Sequence, residues 1–299
     1  TDVDLETIET QNFSQDIPVL LELEPSVVST SDAGAGVGYT GIRIRGTDPT
    51  RINVTLNGIP INDSESHGVF WVNMPDLASS LDNIQVQRGV GTSSNGAGAF
   101  GASINMQTNT VRKKWYAELV NGYGSFNTWR HSVSAGSGLI ANKFTIDARF
   151  SRISSDGYID RATSSLWSWY ASAAYHGKKT MIRFNAIGGR ERTYQSWWGT
   201  PQDSLETNRT YNYYNYENEV DDYGQDHYQL IIAHEFDRNW NFNLNGHYTR
   251  GKGYFEQLRE KDDLSDYGLE NVIIGNDTIT TSDIIRRRWL DNHFYGFTF

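Results

Sequence analysis

The sequence predicts a mainly β protein in two parts: a small α+β domain over residues 1–110, then, over 111–299, antiparallel strands of a transmembrane β-barrel. Three observations predict it. Near Thr110 the chain passes from a stretch dense in Gly, Ser, Asn and Asp to segments of about ten residues with period-2 patterning, the strand signature of membrane barrels. Mean hydropathy is -0.57 and no run approaches the roughly 20 apolar residues of a membrane helix, yet 9 Trp, 17 Tyr and 13 Phe are present, as aromatic girdles at two membrane interfaces require. Tight and long connections also alternate along the second part, the pattern of short turns on one side of a membrane and long loops on the other.

In the first part a helix is expected over 17–23, where Asp16 is placed to cap it and Pro18 sits in its first turn, and another around 75–81. Short β-branched runs at 52–56 and 84–86 read as strands. Asn57-Gly58 is a favoured hairpin pair because both residues tolerate positive φ, and Gly46 marks another sharp turn. Gly89, Gly91, Gly96, Gly98 and Gly101 allow neighbouring backbone to approach closely.

In the second part the clearest strand covers 143–153. There Phe144, Ile146, Ala148 and Phe150 fall on one side, and Thr145, Asp147, Arg149 and Ser151 on the other. The same split recurs over 240–249, with Trp240, Phe242, Leu244 and Tyr248 opposite Asn241, Asn243, Asn245 and His247. Looser alternation at 115–123, 129–137, 167–175, 182–188, 228–236 and 289–299 brings the count to about eight strands, with the apolar set expected to face lipid. Tight turns at 140–142, 177–179 and 237–239 separate long connections at 155–165, 193–225 and 254–283, the exception being a short first loop near 124–127. A soluble sandwich alternates too, but does not sort its connections by length in this way.

An eight-stranded barrel has an interior just wide enough for its own side chains, so it cannot hold a preceding domain of some 110 residues. The expectation is therefore a larger barrel, with a native chain continuing beyond Phe299. The alternating Tyr295, Phe297 and Phe299 offer the opposite reading, that of a closing C-terminal strand.

Net charge is -10 without any basic stretch to track a phosphate backbone, which argues against nucleic acid; the acidic balance reads as solvated surface. Zero Cys removes disulfides and thiolate chemistry, and Thr1 opens without a charged and apolar leader, so any signal peptide is expected to be already cleaved. Residues 96–101 match G-x-G-x-x-G, but Ser103 to Gln107 reads as strand rather than as the helix that would receive a pyrophosphate, so a turn is the better reading. Asp63, Glu65 and His67 lie close enough to suggest a metal site, though three such residues in a loop arise readily by chance. No nucleophile elbow or facing carboxylate pair is visible, so no catalytic residues, cofactor or enzyme activity are expected.

Four ordered blocks carry a family resemblance: Ile42-Arg43-Ile44-Arg45-Gly46; Val54-Thr55-Leu56-Asn57-Gly58-Ile59-Pro60-Ile61; Ile84-Gln85-Val86-Gln87-Arg88-Gly89; and Gly96 through Gly101 leading to Ile104-Asn105-Met106-Gln107-Thr108. In order and spacing they resemble the plug domain of TonB-dependent outer-membrane receptors, and their wording is similar to receptors of Bacteroidetes-type bacteria. The resemblance implies a plug seated in a barrel in the outer membrane of a Gram-negative bacterium. It implies active import of a scarce extracellular ligand such as a ferric siderophore, energised by the TonB complex of the inner membrane. The alternatives are oligosaccharide or peptide uptake with a surface lipoprotein, or a non-transporting adhesin or structural barrel in the same outer-membrane lipid. Arg45 and Arg88 match family arginines that lock plug to barrel wall; otherwise they are ordinary solvated arginines. Residues 62–73 match an apical plug loop, making Ser66, His67, Phe70 and Trp71 candidates for the floor of a ligand site. In the loop 193–225, Trp197, Trp198, Tyr213 and Tyr214 are candidates for its aromatic rim, against the alternatives that a long loop packs on itself or meets lipid headgroups.

Overall fold

The computed structural model describes residues 1–90, 100–108 and 111–299. The expectations for Gly91, Gly96 and Gly98, and the domain boundary at Thr110, lie outside the described residues.

Strand β1 (Asp2–Asp4) leads into α1 (Leu5–Gln11), whose N-cap Asp4 accepts a bond from the Thr7 amide at 2.9 Å. α2 (Ile17–Leu20) starts after Asp16 with Pro18 in its first turn and runs on as a tighter turn to Leu23, so the expected helix exists in two geometries. β2 (Val27–Ser31) and β3 (Thr40–Ile44) form a two-stranded antiparallel ribbon. β4 (Ile52–Leu56) turns into β5 (Ile59–Pro60) through Asn57 and Gly58 at φ 57° and 78°, as the residue pair requires. The segment expected as helix at 75–81 is a 3-10 turn, Leu77–Ser80. β6 (Leu81–Arg88) and β7 (Ala102–Thr108) complete a five-stranded sheet in the order β1-β6-β7-β4-β5, in which β4 and β7 run parallel. Gly101 is thus followed by a strand, which leaves no helix end to receive a dinucleotide. The helices cover this sheet, burying Ile8, Leu21, Ile52, Leu56, Ile84, Ile104 and Met106 in one core.

The second part is an eight-stranded antiparallel sheet whose neighbours follow chain order. It comprises β8 (Tyr116–Gly124), β9 (Thr128–Gly136), β10 (Phe144–Ser155), β11 (Ser164–His176), β12 (Thr180–Tyr194), β13 (Val220–Glu235) and β14 (Asn241–Asp263). A small hairpin of β15 (Val272–Ile274) and β16 (Asp277–Ile279) then precedes the last member, β17 (Thr281–Thr298). β8 and β17 are the sheet edges. One face is apolar and open: Phe144, Ile146 and Phe150 are 47%, 57% and 49% exposed, while Thr145, Arg149 and Ser151 on the other side of the same strand are buried, the last two against the N-terminal domain. Toward the long loops the strands outrun their expected ends, β14 reaching Asp263 rather than Thr249. The extension mixes charged residues with Tyr254, Phe255 and Leu258 on both faces, so it carries no apolar period to announce it.

Candidate functional site

The N-terminal domain meets the inner face of the sheet through an ionic knot centred on Asp76. This residue has left-handed backbone at φ 53°, a conformation Asp tolerates better than most residues, and that geometry turns its carboxylate into the wall. Arg130 of β9 donates to one oxygen at 2.9 Å and Arg149 of β10 to the other at 3.2 Å. Ser79 and Ser151 donate to the same carboxylate, Arg149 also reaches Ser80 at 2.7 Å, and Ser168 of β11 donates to the Pro75 carbonyl at 2.6 Å. The Asp76 side chain is fully buried and those of Arg130 and Arg149 nearly so. Gly189 of β12 lets the wall come this close, since a Cβ there would lie 2.1 Å from the Asn73 carbonyl oxygen. Further along, Asn57 donates to Gln229 of β13 at 2.9 Å, and Gln229 donates back to the Leu56 carbonyl at 3.2 Å.

The wall glutamates that the resemblance implies for Arg45 and Arg88 belong to later strands, outside these eight, and within this chain Arg88 bonds to its own domain. It donates to Glu24 at 3.2 Å, to the Pro25 carbonyl and to Thr1, all within the N-terminal domain. Arg45 is exposed in a turn at φ 52°, beside Gly89. Toward these eight strands the ion pairs have the reverse polarity, with the carboxylate on the N-terminal domain and the arginines on the sheet. Sequence reasoning missed Asp76 because it read Pro75-Asp76 only as a helix start. The available signal was Arg149, a charge on the inward side of an alternating strand.

The two groups of ligand-site candidates are divided. In the apical segment, Phe70 is 45% exposed and lines a cavity of about 300 Å³ between this loop and the inner faces of β13, β14 and β17, with Asp63, Glu65, His227, Thr249 and Asn292. Trp71 is buried in the domain core, and Ser66 and His67 are exposed at the loop tip. Asp63 caps its own turn, accepting from the amides of Glu65 and Ser66 and from the Ser66 hydroxyl, which is why its carboxylate faces the loop. Among the described residues no group of three His, Asp or Glu side chains is arranged to hold a metal ion.

In the long loop, Trp197 and Tyr214 pack with Tyr194, Val220 and Tyr254 of β14, whereas Trp198 and Tyr213 are 73% and 62% exposed. Burial pushes the Tyr214 hydroxyl up to about 12. Trp197 also meets Tyr39 of the N-terminal domain edge-on at 5.4 Å, and the Tyr39 hydroxyl donates to Asp221 of β13. Burial, with Glu191 and Asp221 close by, holds that phenol well above its usual range. Neither Tyr39 nor Asp221 stands out in the sequence, since their meeting depends on a separation of 182 residues.

Residues 1–103 match the family described as TonB-dependent Receptor Plug Domain. No curated protein sequence matches the chain. The fold is similar to the open form of the ferric-catecholate import receptor Fiu from E. coli K12, with 16% identity and a TM-score of 0.69 over 97% of this chain and 43% of that one. It is similar to the siderophore receptor PirA from Acinetobacter baumannii, with 16% identity and a TM-score of 0.63 over 97% of this chain and 44% of that one. It is also similar to P. aeruginosa FpvA in a pyoverdine–iron complex, with 15% identity and a TM-score of 0.70 over 87% of this chain and 35% of that one. The chain thus spans less than half the length of each of these receptors.

Proposed function

We propose that the chain forms the plug and adjoining wall strands of a TonB-dependent receptor, which imports a scarce extracellular ligand of the ferric-chelate kind across the outer membrane of a Gram-negative bacterium. One observation carries the reading: the domain matching the plug family is seated on the inner face of an outward-apolar sheet by the buried Asp76 knot. Unseating a stopper held this way requires breaking both ion pairs and the hydrogen bonds around them together, so ligand binding alone leaves it in place. Import therefore needs an energised partner, the role proposed for the TonB complex. The exposed Phe70, Ser66, His67, Trp198 and Tyr213 are the proposed ligand contacts, with Trp71, Trp197 and Tyr214 shaping the surfaces that present them.

The test is uptake of radio-iron chelates by cells carrying the full receptor, with and without functional TonB. Accumulation that vanishes without TonB or without the receptor is the expected result. Uptake indifferent to TonB overturns the reading, and binding with no uptake in any background turns it toward an adhesin.

A further inference from the structure

Residues 32–39, Asp-Ala-Gly-Ala-Gly-Val-Gly-Tyr, join β2 to β3, with Gly34, Gly36 and Gly38 all at positive φ. This path gives the segment two working sides. Toward the wall, the Ala33 carbonyl accepts from the amides of Tyr158 at 2.7 Å and Ile159 at 3.2 Å, both in the loop between β10 and β11. Val37 packs on Ile153 and Leu166, and Tyr39 makes its contacts with Trp197 and Asp221. Toward the N-terminal helices, the Gly36 carbonyl accepts from the Asp16 amide at 3.0 Å, and Thr40 donates to the Asp16 carboxyl at 2.9 Å. Gly36 also lies in van der Waals range of Val19 and Gln15, where a Cβ would sit 3.7 and 3.8 Å from their side chains.

The segment is braced internally, by Asp32 amide to Tyr39 carbonyl at 3.0 Å and Gly36 amide to Ser31 hydroxyl at 3.0 Å. The two long loops are tied to each other as well: the Asp160 amide donates to the Thr210 carbonyl at 2.7 Å, and Arg161 donates to the carbonyls of Tyr214 and Asn212 at 2.6 and 3.1 Å. α1 approaches the opposite rim of the sheet, where Glu9 lies 3.8 Å from Arg112, just before β8. The segment is thus a contiguous packed and hydrogen-bonded connection between the loops on one side and a helix start on the other.

We infer that Tyr39 is a positioning residue, through which residues 32–39 pass a movement of the long loops to Asp16 and the start of α2. Its purpose rests on the import reading, in which occupancy outside must be sensed at the inner side, but the coupling itself is a property of the folded chain.

Hydrogen exchange on the full receptor tests it without ligand or TonB. In Trp197→Ala, which changes the long loop and removes the ring that Tyr39 meets, and in Tyr39→Ala, the amides of Asp16, Val19 and Leu20 should exchange about tenfold faster or more, with β6 and β7 unchanged. Tyr39→Phe keeps the ring against Trp197 and should give a smaller effect, and Trp197→Phe should restore protection. Unaltered protection at 16–20 overturns the inference, as does uniform loss across the domain, which would mark Tyr39 as packing alone. Either result leaves the import reading to stand or fall on uptake.

Discussion

At the scale of single residues, two buried carboxylates behave oppositely because of what surrounds them. Asp76 has two guanidiniums within 3.2 Å, so its charge is compensated. Asp76→Ala leaves Arg130 and Arg149 buried without their anion and should destabilise the seated domain by about 3 to 5 kcal/mol, read as earlier proteolysis of residues 1–108 at rising denaturant. A Met in place of Arg149, made together with Asp76→Ala, should recover part of that loss, because fewer charges then remain stranded. Asp16 has only Thr40 and backbone donors beside it, and burial raises its carboxyl to about 8. The folded state therefore holds a proton that the unfolded chain gives up near pH 4. Stability from this group is complete below that pH and is lost as pH rises toward 8, at about 1.4 kcal/mol per unit. Asp16→Asn should remove this slope: the melting temperatures of variant and parent should diverge in the variant's favour between pH 5 and 8. Parallel curves would show that Asp16 is ionised when folded.

At the scale of elements, close approach between domain and wall is concentrated where β12 lacks a side chain. Gly189→Ala places a methyl 2.1 Å from the Asn73 carbonyl oxygen and 2.8 Å from Pro75, both backbone-constrained, so it should cost about 1 to 3 kcal/mol and loosen the domain. Gly246→Ala on β14, with nothing within 4 Å, should change stability by less than about 0.5 kcal/mol in the same melting assay. The strands were legible in the sequence where one face must be apolar, as at 143–153, and illegible where neither face is uniformly apolar, as in the upper parts of β13 and β14. α1 was missed because seven residues carry little periodicity, although Asp4 with Glu6 spelled its start. The site was less legible than the fold. Sequence shows that Trp197, Tyr214 and Trp71 are aromatic, but whether a ring is buried depends on contacts with residues far along the chain, such as Tyr39 and Tyr254.

At the scale of the whole molecule, charge is sorted along the axis of the strands. The loops 195–219 and 264–280 hold seven carboxylates and one cation, while the tight turns 137–143, 177–179 and 236–240 hold four cations and one carboxylate. The acidic balance therefore resides largely in the long loops. Between these rims the open face is apolar up to a row of cross-strand ion pairs, Arg190 with Asp226 at 3.0 Å, Arg192 with Asp222 at 3.1 Å, and Arg250 with Asp291. On the proposed outer-membrane reading, charges of this kind belong in the headgroup zone and the row is the loop-side limit of the hydrocarbon. A depth-dependent prediction follows from that boundary. Ile146→Arg or Leu230→Arg, in the apolar band, should each cost about 2 to 4 kcal/mol and lower the heat-modifiable, folded fraction in the outer membrane. Ser165→Arg, on the same face beside Arg192, should cost about 1 kcal/mol or less. Equal tolerance at all three positions would mean that water rather than lipid meets this face, and the membrane placement would have to be abandoned.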